Sequence, residues 1–333
     1  MMSSKNKIIL STAPFLRQGE TTPWIMFQVV FSLIPVFLAA FYFFGLSVLL
    51  VTVTAIASCL LTEWFFDTNR PRGISLKDGS TLLTGMLFAL TLPPGLPLWM
   101  VFLGGIAAIG MGKVIWGGLG QNIFNPALIG RAFLQAAFPI AITTWSSPTG
   151  NYFIPRGTNL AWPFMQGEAL DTITTATPLA LMKFQHQSTG ILNLLLGNTG
   201  GSLGETSSIV IILAGIYLAA KKVINWQIPA AILLTVILFS GILYSFAPDR
   251  YPSPVFMVLS GGLLLGTVFM ATDPVTSPIT TRGCWVFGCG IGLLVVLIRV
   301  FGGLPEGVMY AILLMNAVTP LINRITREKI YGA

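Results

Sequence analysis

Long apolar runs, almost free of charge and separated by short polar clusters, constrain this chain more than any other feature. Runs suited to crossing a hydrocarbon core of about 30 Å at about 1.5 Å per residue lie near 24–44, 46–66, 98–116, 207–220, 228–246, 283–300 and 306–323. Composition agrees, since 54% of the 333 residues are hydrophobic and 9% are charged, where a soluble domain carries about 25% charged residues. A soluble enzyme, a coiled coil and a disordered chain are excluded. With no water in the bilayer to satisfy backbone groups, runs of this length must be helices, so the fold class is an all-α polytopic membrane protein.

Three shorter segments, 80–92, 123–138 and 255–272, carry Gly, Pro, Ser or Thr and end at Pro93-Pro94, Pro139 and Asp273-Pro274. They read as discontinuous or tilted helices that line a protein-enclosed site. Counting them gives about ten transmembrane helices. The first run, Trp24 to Phe44, is 21 residues long and leads straight into a second, so it is not a cleavable signal peptide.

The net charge of +7 is explained by placement. With both termini cytoplasmic, ten crossings put thirteen Lys and Arg residues inside and four outside (Arg156, Lys183, Arg250 and Arg299), with Arg131 in a helix. That asymmetry is the positive-inside rule, and it removes the case for nucleic-acid binding. The expected organisation is a cytoplasmic segment 1–23, a first five-helix half 24–138, an external loop 139–206, a second five-helix half 207–323 and a cytoplasmic tail 324–333.

The halves share a pattern. Gly85, Phe88, Thr91 and Pro93 recur at constant offset as Gly266, Phe269, Thr272 and Pro274. Gly117-Gly118-Leu119 after Lys113 is matched by Gly302-Gly303-Leu304 after Arg299. An inside-out helix thus corresponds to an outside-in one, the sign of an inverted repeat with its binding site between broken helices.

The loop contains Asp171-Thr172-Ile173-Thr174-Thr175-Ala176-Thr177-Pro178-Leu179. From the residues alone this is a polar turn before a short apolar stretch, with Asp171 and Thr174 able to cap backbone N–H groups. Asp-x-x-(Ser/Thr)-x-Ala-Thr also resembles the site at which a flavin transferase joins FMN, through its phosphate, to a threonine hydroxyl. Gly-Gly-Leu-Gly-Gln-Asn-Ile-Phe-Asn-Pro-Ala at 117–127, then Gly130-Arg131, and Met-Ala-Thr-Asp-Pro-Val-Thr-Ser-Pro at 270–278 extend the resemblance over nearly the whole chain. It is to the D subunits of Rnf complexes and the similar B subunits of sodium-translocating NADH:quinone reductases. The 23 residues before the first helix favour the former, since the latter carry a longer N-terminal extension.

The resemblance implies a flavin-carrying subunit of an ion-translocating ferredoxin:NAD+ oxidoreductase in a bacterial cell (inner) membrane, not catalytic alone. Its partners would be the A, B, C, E and G subunits of an Rnf complex, a flavin transferase and the lipid bilayer, with Na+ or H+ as the coupled ion. It assigns covalent FMN to Thr177, with Asp171, Thr174 and Ala176 completing the attachment motif. Thr175 stands where the family usually has Gly, which adds a second hydroxyl. A noncovalent riboflavin is implied between the helices, and segments 122–126 and 272–277, with Asn125 and Asp273, are its expected surroundings.

Other residues keep two readings. Asp273 is either a cation or flavin site at the end of a discontinuous helix or an ordinary helix cap. Arg131 either ties helix ends together through carbonyls or contacts flavin or a partner. Glu63 is expected to snorkel or to pair with Arg70 or Arg72. Three cysteines cannot hold a common iron–sulfur cluster, one histidine makes no two-His metal site, and Gly112-Lys113 is not a P-loop. The competing function is an inverted-repeat secondary transporter or channel, which needs no flavin motif.

Overall fold

The computed structural model describes residues 21–66, 78–148, 152–163, 176–248 and 250–327. Among them the secondary structure is helical, with no strand. Helices α1 (Thr22–Phe44) and α2 (Leu46–Phe66) are joined by Gly45 alone, at φ +65°. Helix α3 (Ser80–Leu90) has 11 residues, a reach of about 16 Å, and stops before Pro93-Pro94. Helix α4 (Leu98–Ile109) continues into a π-turn, Gly110–Val114. Helix α5 (Pro126–Ala137) starts at Asn125, whose Oδ1 accepts from the N–H groups of Ala127 and Leu128 at 3.0 and 3.5 Å.

Short helices α6 (Pro139–Ile142), α7 (Pro178–Gln185) and α8 (Ile191–Leu196) and a 3-10 turn, Leu203–Glu205, follow. The second set is α9 (Ser208–Ala220), α10 (Gln227–Phe246), α11 (Pro254–Leu259), α12 (Leu263–Leu265), α13 (Thr281–Phe301) and α14 (Val308–Ile325). Helix α12 runs on as a π-turn, Gly266–Met270. Among the described residues five helices, α1, α2, α10, α13 and α14, are long and apolar enough to cross a membrane. The segments expected to be short are short, and 255–272 is broken at Ser260-Gly261-Gly262, where Gly261 has φ +67°.

Small residues set the closest packing. On α13, a β-carbon at Gly288 or Gly292 would meet the carbonyl oxygens of Ile228 and Ile232 on α10, each at 2.9 Å. Glycines four apart share one helix face and let two backbones touch, the usual device where lipid removes the hydrophobic drive for helix association. Gly204 wedges the 3-10 turn between the broken elements, with its β-carbon position 2.9 Å from Leu90 O and 2.6 Å from Leu265 Cδ2. Leu33, Phe44, Phe88 and Phe287 fill the interior, while Phe31, Leu38, Leu213 and Leu238 are exposed on the outside of the helices, as a surface facing hydrocarbon requires.

Candidate functional site

Thr177 is the N-cap of α7. Its Oγ1 accepts from the N–H of Ala180 at 3.2 Å, and Pro178 supplies the first helical residue. The side chain opens into a cleft of about 590 Å3 shared with Arg131, Gln135, Ala176, Phe184, Glu306 and Tyr310. Organic cofactors occupy pockets of roughly 300–1,000 Å3, so the cleft has room for a flavin. A phosphoester on Thr177 would add negative charge at a helix N-terminus, where unpaired N–H groups favour it, in a cleft that also holds a guanidinium. The residues therefore fit FMN. Asp171, Thr174 and Thr175 lie outside the described residues; Ala176 is exposed beside Thr177.

Arg131 ties helix ends together, as its plainer reading requires, and does so at the wall of the cleft. Its Nη1 donates to Thr91 O at 2.5 Å, closing the end of α3, and its Nη2 pairs with Glu306 Oε2 at 3.0 Å. Glu306 Oε1 in turn accepts from the N–H of Gly262 at 2.7 Å, in the break between α11 and α12. Arg299 donates to Met257 O and Ser260 O at 2.6 and 3.0 Å in the same break. Glu205 accepts from Ser202 Oγ at 2.7 Å, and its Oε1 and the Oε1 of Glu306 lie 3.6 and 3.5 Å from the point where a β-carbon on Gly262 would stand. Both acids lie in connections outside the spanning helices. Burial, then the Glu306 charge, pushes the Glu205 carboxyl up to about 8. Burial also acts upward on Glu306, but Arg131, the Gly262 N–H and Arg299 outweigh it and hold that carboxyl below its ordinary range.

At the opposite ends of α3 and α5 lies a cavity of about 60 Å3 lined by Lys113, Asn122, Asn125, Phe269, Thr272 and Asp273 among others. Asp273 Oδ1 accepts from the N–H of Val275 at 3.2 Å and Oδ2 from Thr276 Oγ1 at 3.3 Å, so it closes the turn that follows the π-turn and is not the cap of a helix. Asn125 Nδ2 donates to Met270 O at 3.2 Å, so its polar atoms already serve the fold. Asn122 Oδ1 is buried without a partner. The lining offers polar groups to a ring edge, but 60 Å3 is far below the pocket size above. Riboflavin does not fit this cavity as it stands.

The expected partners of Glu63, Arg70 and Arg72, lie outside the described residues, and Glu63 itself meets Lys113. Its oxygens accept from Lys113 Nζ at 2.8 and 3.0 Å, and Lys113 also donates to Ser80 Oγ at 2.8 Å and Thr81 Oγ1 at 3.1 Å. The partners are 50 residues apart, and Lys113 sits on the π-turn beyond α4. Lys113 and Arg299, 3% and 4% exposed, are therefore spent on the protein interior. Taking one from each side of the charge count leaves twelve against three, and the asymmetry stands. Sequence reasoning missed Glu205 and Glu306; the available signal was an isolated acid in each of two Gly- and Pro-bounded turns, Leu203-Gly204-Glu205 and Pro305-Glu306-Gly307. His186 is exposed at the C-terminus of α7, as expected of a surface residue.

The sequence matches the model of the NQR2, RnfD, RnfE family over residues 9–332. It is 42% identical over 342 residues to the D subunit of the proton-translocating ferredoxin:NAD(+) oxidoreductase complex of Clostridium ljungdahlii, covering 98% of this chain and 97% of that one. The D subunit of the ion-translocating oxidoreductase complex of Stutzerimonas stutzeri is 41% identical over 329 residues, covering 92% and 91%. The D subunit of the Na(+)-translocating ferredoxin:NAD(+) oxidoreductase complex of Acetobacterium woodii is 38% identical over 329 residues, covering 98% and 95%. With the family model matched over nearly the whole chain and relatives at this identity covered almost from end to end, the chain belongs to the NQR2, RnfD, RnfE family.

Proposed function

We propose that this chain is the membrane subunit of an Rnf-type, ion-translocating electron-transport complex and carries FMN through a phosphoester on Thr177. The observation that carries the reading is Thr177 capping α7 inside a cleft with Arg131 and Tyr310. FMN, when attached, supplies the ring that accepts and passes on electrons. The chain's own residues do the rest. Thr177 Oγ1 provides the point of attachment, Arg131 offsets the phosphate's negative charge, and Phe184 and Tyr310 wall the cleft with apolar surface. Asp171, Thr174 and Ala176 serve the flavin transferase. The ion is H+ or Na+, the two named among the relatives.

The two halves are read as inverted five-helix repeats within the boundaries given above, with the 139–206 loop on the outer face of the bacterial inner membrane and both termini cytoplasmic. The equivalent work of Lys113 and Arg299 supports this. One binds Ser80 and Thr81 at the start of α3, the other binds Met257 O and Ser260 O at the break in the corresponding segment. Riboflavin near Asn125 and Asp273 requires the cavity to widen, and no step is routed through it. The A, B, C, E and G subunits of such a complex are the expected partners.

The test is in-gel flavin fluorescence of the denatured chain, produced with an active flavin transferase, beside Thr177→Ala and Thr175→Ala. Fluorescence lost only in Thr177→Ala is expected. A dark parent chain would leave a polar turn at 171–177 and make a transporter without a redox cofactor the better reading. Labelling of Ser188→Cys in intact cells tests the loop's side; labelling only after permeabilisation reverses the topology.

A further inference from the structure

Behind the Thr177 cleft four charged side chains form one group: the buried Arg131 from α5 and Arg299 from α13, and the half-buried Glu205 from the 3-10 turn and Glu306 from the turn before α14. The two acids converge on the break in the second broken helix. Glu306 Oε1 and Glu205 Oε1 lie 3.5 and 3.6 Å from the point where a β-carbon on Gly262 would stand. The group holds two cations and two acids, yet it is not two simple pairs. Arg131 is bonded to Glu306, whereas Arg299 gives both its Nη groups to carbonyl oxygens. Glu205 receives one hydrogen bond from Ser202 Oγ and faces a second carboxylate.

Two carboxylates that converge on one point, as these do at Gly262, repel unless a proton lies between them, and like carboxylates sharing a site hold one proton in common. Two further observations point to an exchangeable occupant. Ser260 Oγ, fully buried in the same break, and Arg299 Nε, 4% exposed as a residue, have no protein partner. Buried polar atoms of this kind are met by ordered water, the medium through which a proton moves. Tyr310, on the cleft wall, and Lys183, bonded to the carbonyls of Arg299, Gly302 and Leu304, complete the titratable and charged groups facing the cluster.

We propose that Glu205 and Glu306 form a proton-binding site holding one shared proton, and that its occupancy is linked through Arg131 to the charge at position 177. Arg131 and Glu306 both line the Thr177 cleft. Negative charge there draws on Arg131, weakens its pairing with Glu306 and raises the acids' affinity for the proton. Linkage is reciprocal, so loss of that charge releases the proton to water in the cleft. No electron moves in this step; an O–H bond of the acid pair breaks and one to water forms. The assignment of a phosphoester to Thr177 makes the linkage useful, but the proton site does not depend on it.

The experiment is pH-difference infrared spectroscopy of the full chain in lipid nanodiscs, prepared without flavin. One carboxylic-acid C=O band titrating above the ordinary carboxylate range is expected to be lost on raising the pH, to be absent in Glu205→Gln and to persist in Asp273→Asn, which removes the other deeply placed acid. Thr177→Asp against the neutral, isosteric Thr177→Asn then tests the linkage, with the band's midpoint expected about one pH unit higher in the Asp variant. A titrating band retained in Glu205→Gln, or none in the parent, overturns the shared proton. Equal midpoints in the two position-177 variants overturn the linkage. Since neither arm contains flavin, a failure here is distinct from a failure of the fluorescence test.

Discussion

Replacing Lys113 by Met should destabilise the protein more than replacing Lys113 and Glu63 together. The ion pair's side chains are 4% and 5% exposed, and Lys113 Nζ makes four hydrogen bonds of 2.8 to 3.1 Å, two to Glu63 and two to the start of α3. Removing only the ammonium leaves a carboxylate buried without its cation, which costs about 3–5 kcal/mol. Lys113→Met with Glu63→Leu replaces both partners of the pair by apolar side chains, which is close to neutral for the pair itself, and leaves the bonds to Ser80 and Thr81 as the main loss, about 1 kcal/mol each. The double variant is thus expected to lose about 2 kcal/mol, less than either end of the single variant's range. Equilibrium unfolding in detergent micelles, followed by circular dichroism, reads both. A single variant no less stable than the double would refute the reasoning, because Glu63 could then not be a charge that depends on Lys113.

Other consequences are as direct. Glu205, with its pKa raised to about 8 from an ordinary 4.5, binds its proton more tightly in the folded chain. Its contribution to stability is full below pH 4.5 and is lost as pH rises through about 8. A pH series of thermal unfolding should show that fall, and Glu205→Gln should flatten it. Asn125→Leu removes a cap worth about 1 kcal/mol and the bond to Met270, so a loss of about 1–3 kcal/mol is expected in the same unfolding assay. Gly204→Val forces a side chain against Leu90 O and Leu265 and should lower the yield of folded protein, read by size-exclusion chromatography. Arg131→Lys keeps the charge but loses the fork that reaches Thr91 O and Glu306 together, and should raise the midpoint of the infrared band's titration less than Arg131→Met does.

Much of the architecture was legible because hydrocarbon is a strict solvent. Segment lengths and Gly or Pro interruptions announced the short α3 and α5 and a discontinuous segment at 255–272, whose break at 260–262 only the structure locates. Thr177 stood out in the sequence because the proposed attachment motif is a run of consecutive residues, and the structure adds its place as the N-cap of α7 in the cleft. The charge cluster was not. Arg131, Glu205, Arg299 and Glu306 come from four separate elements, and nothing local in Gly204-Glu205 or Pro305-Glu306 says that the two acids meet. Lys113 was legible as a charge at a helix end but not as the partner of Glu63, for a related reason. As a sequence feature it was a cytoplasmic charge at a helix end, but the π-turn beyond α4 carries it to Glu63 on α2. Periodicity fixes a helix; it does not report which polar side chain crosses to another.

The short stretch from Gly262 to Met270 is held like a beam with a pin at each end. Glu306 grips the N–H of Gly262 at one end and Asn125 grips the carbonyl of Met270 at the other. A beam pinned twice cannot tilt as a whole without releasing a pin. The two ends are also unequal, because the Glu306 pin is ionic and answers to pH and to charge in the cleft, whereas the Asn125 amide answers to neither. A change of charge in the cleft therefore reaches this stretch at its Gly262 end and leaves the Asn125 end as it is.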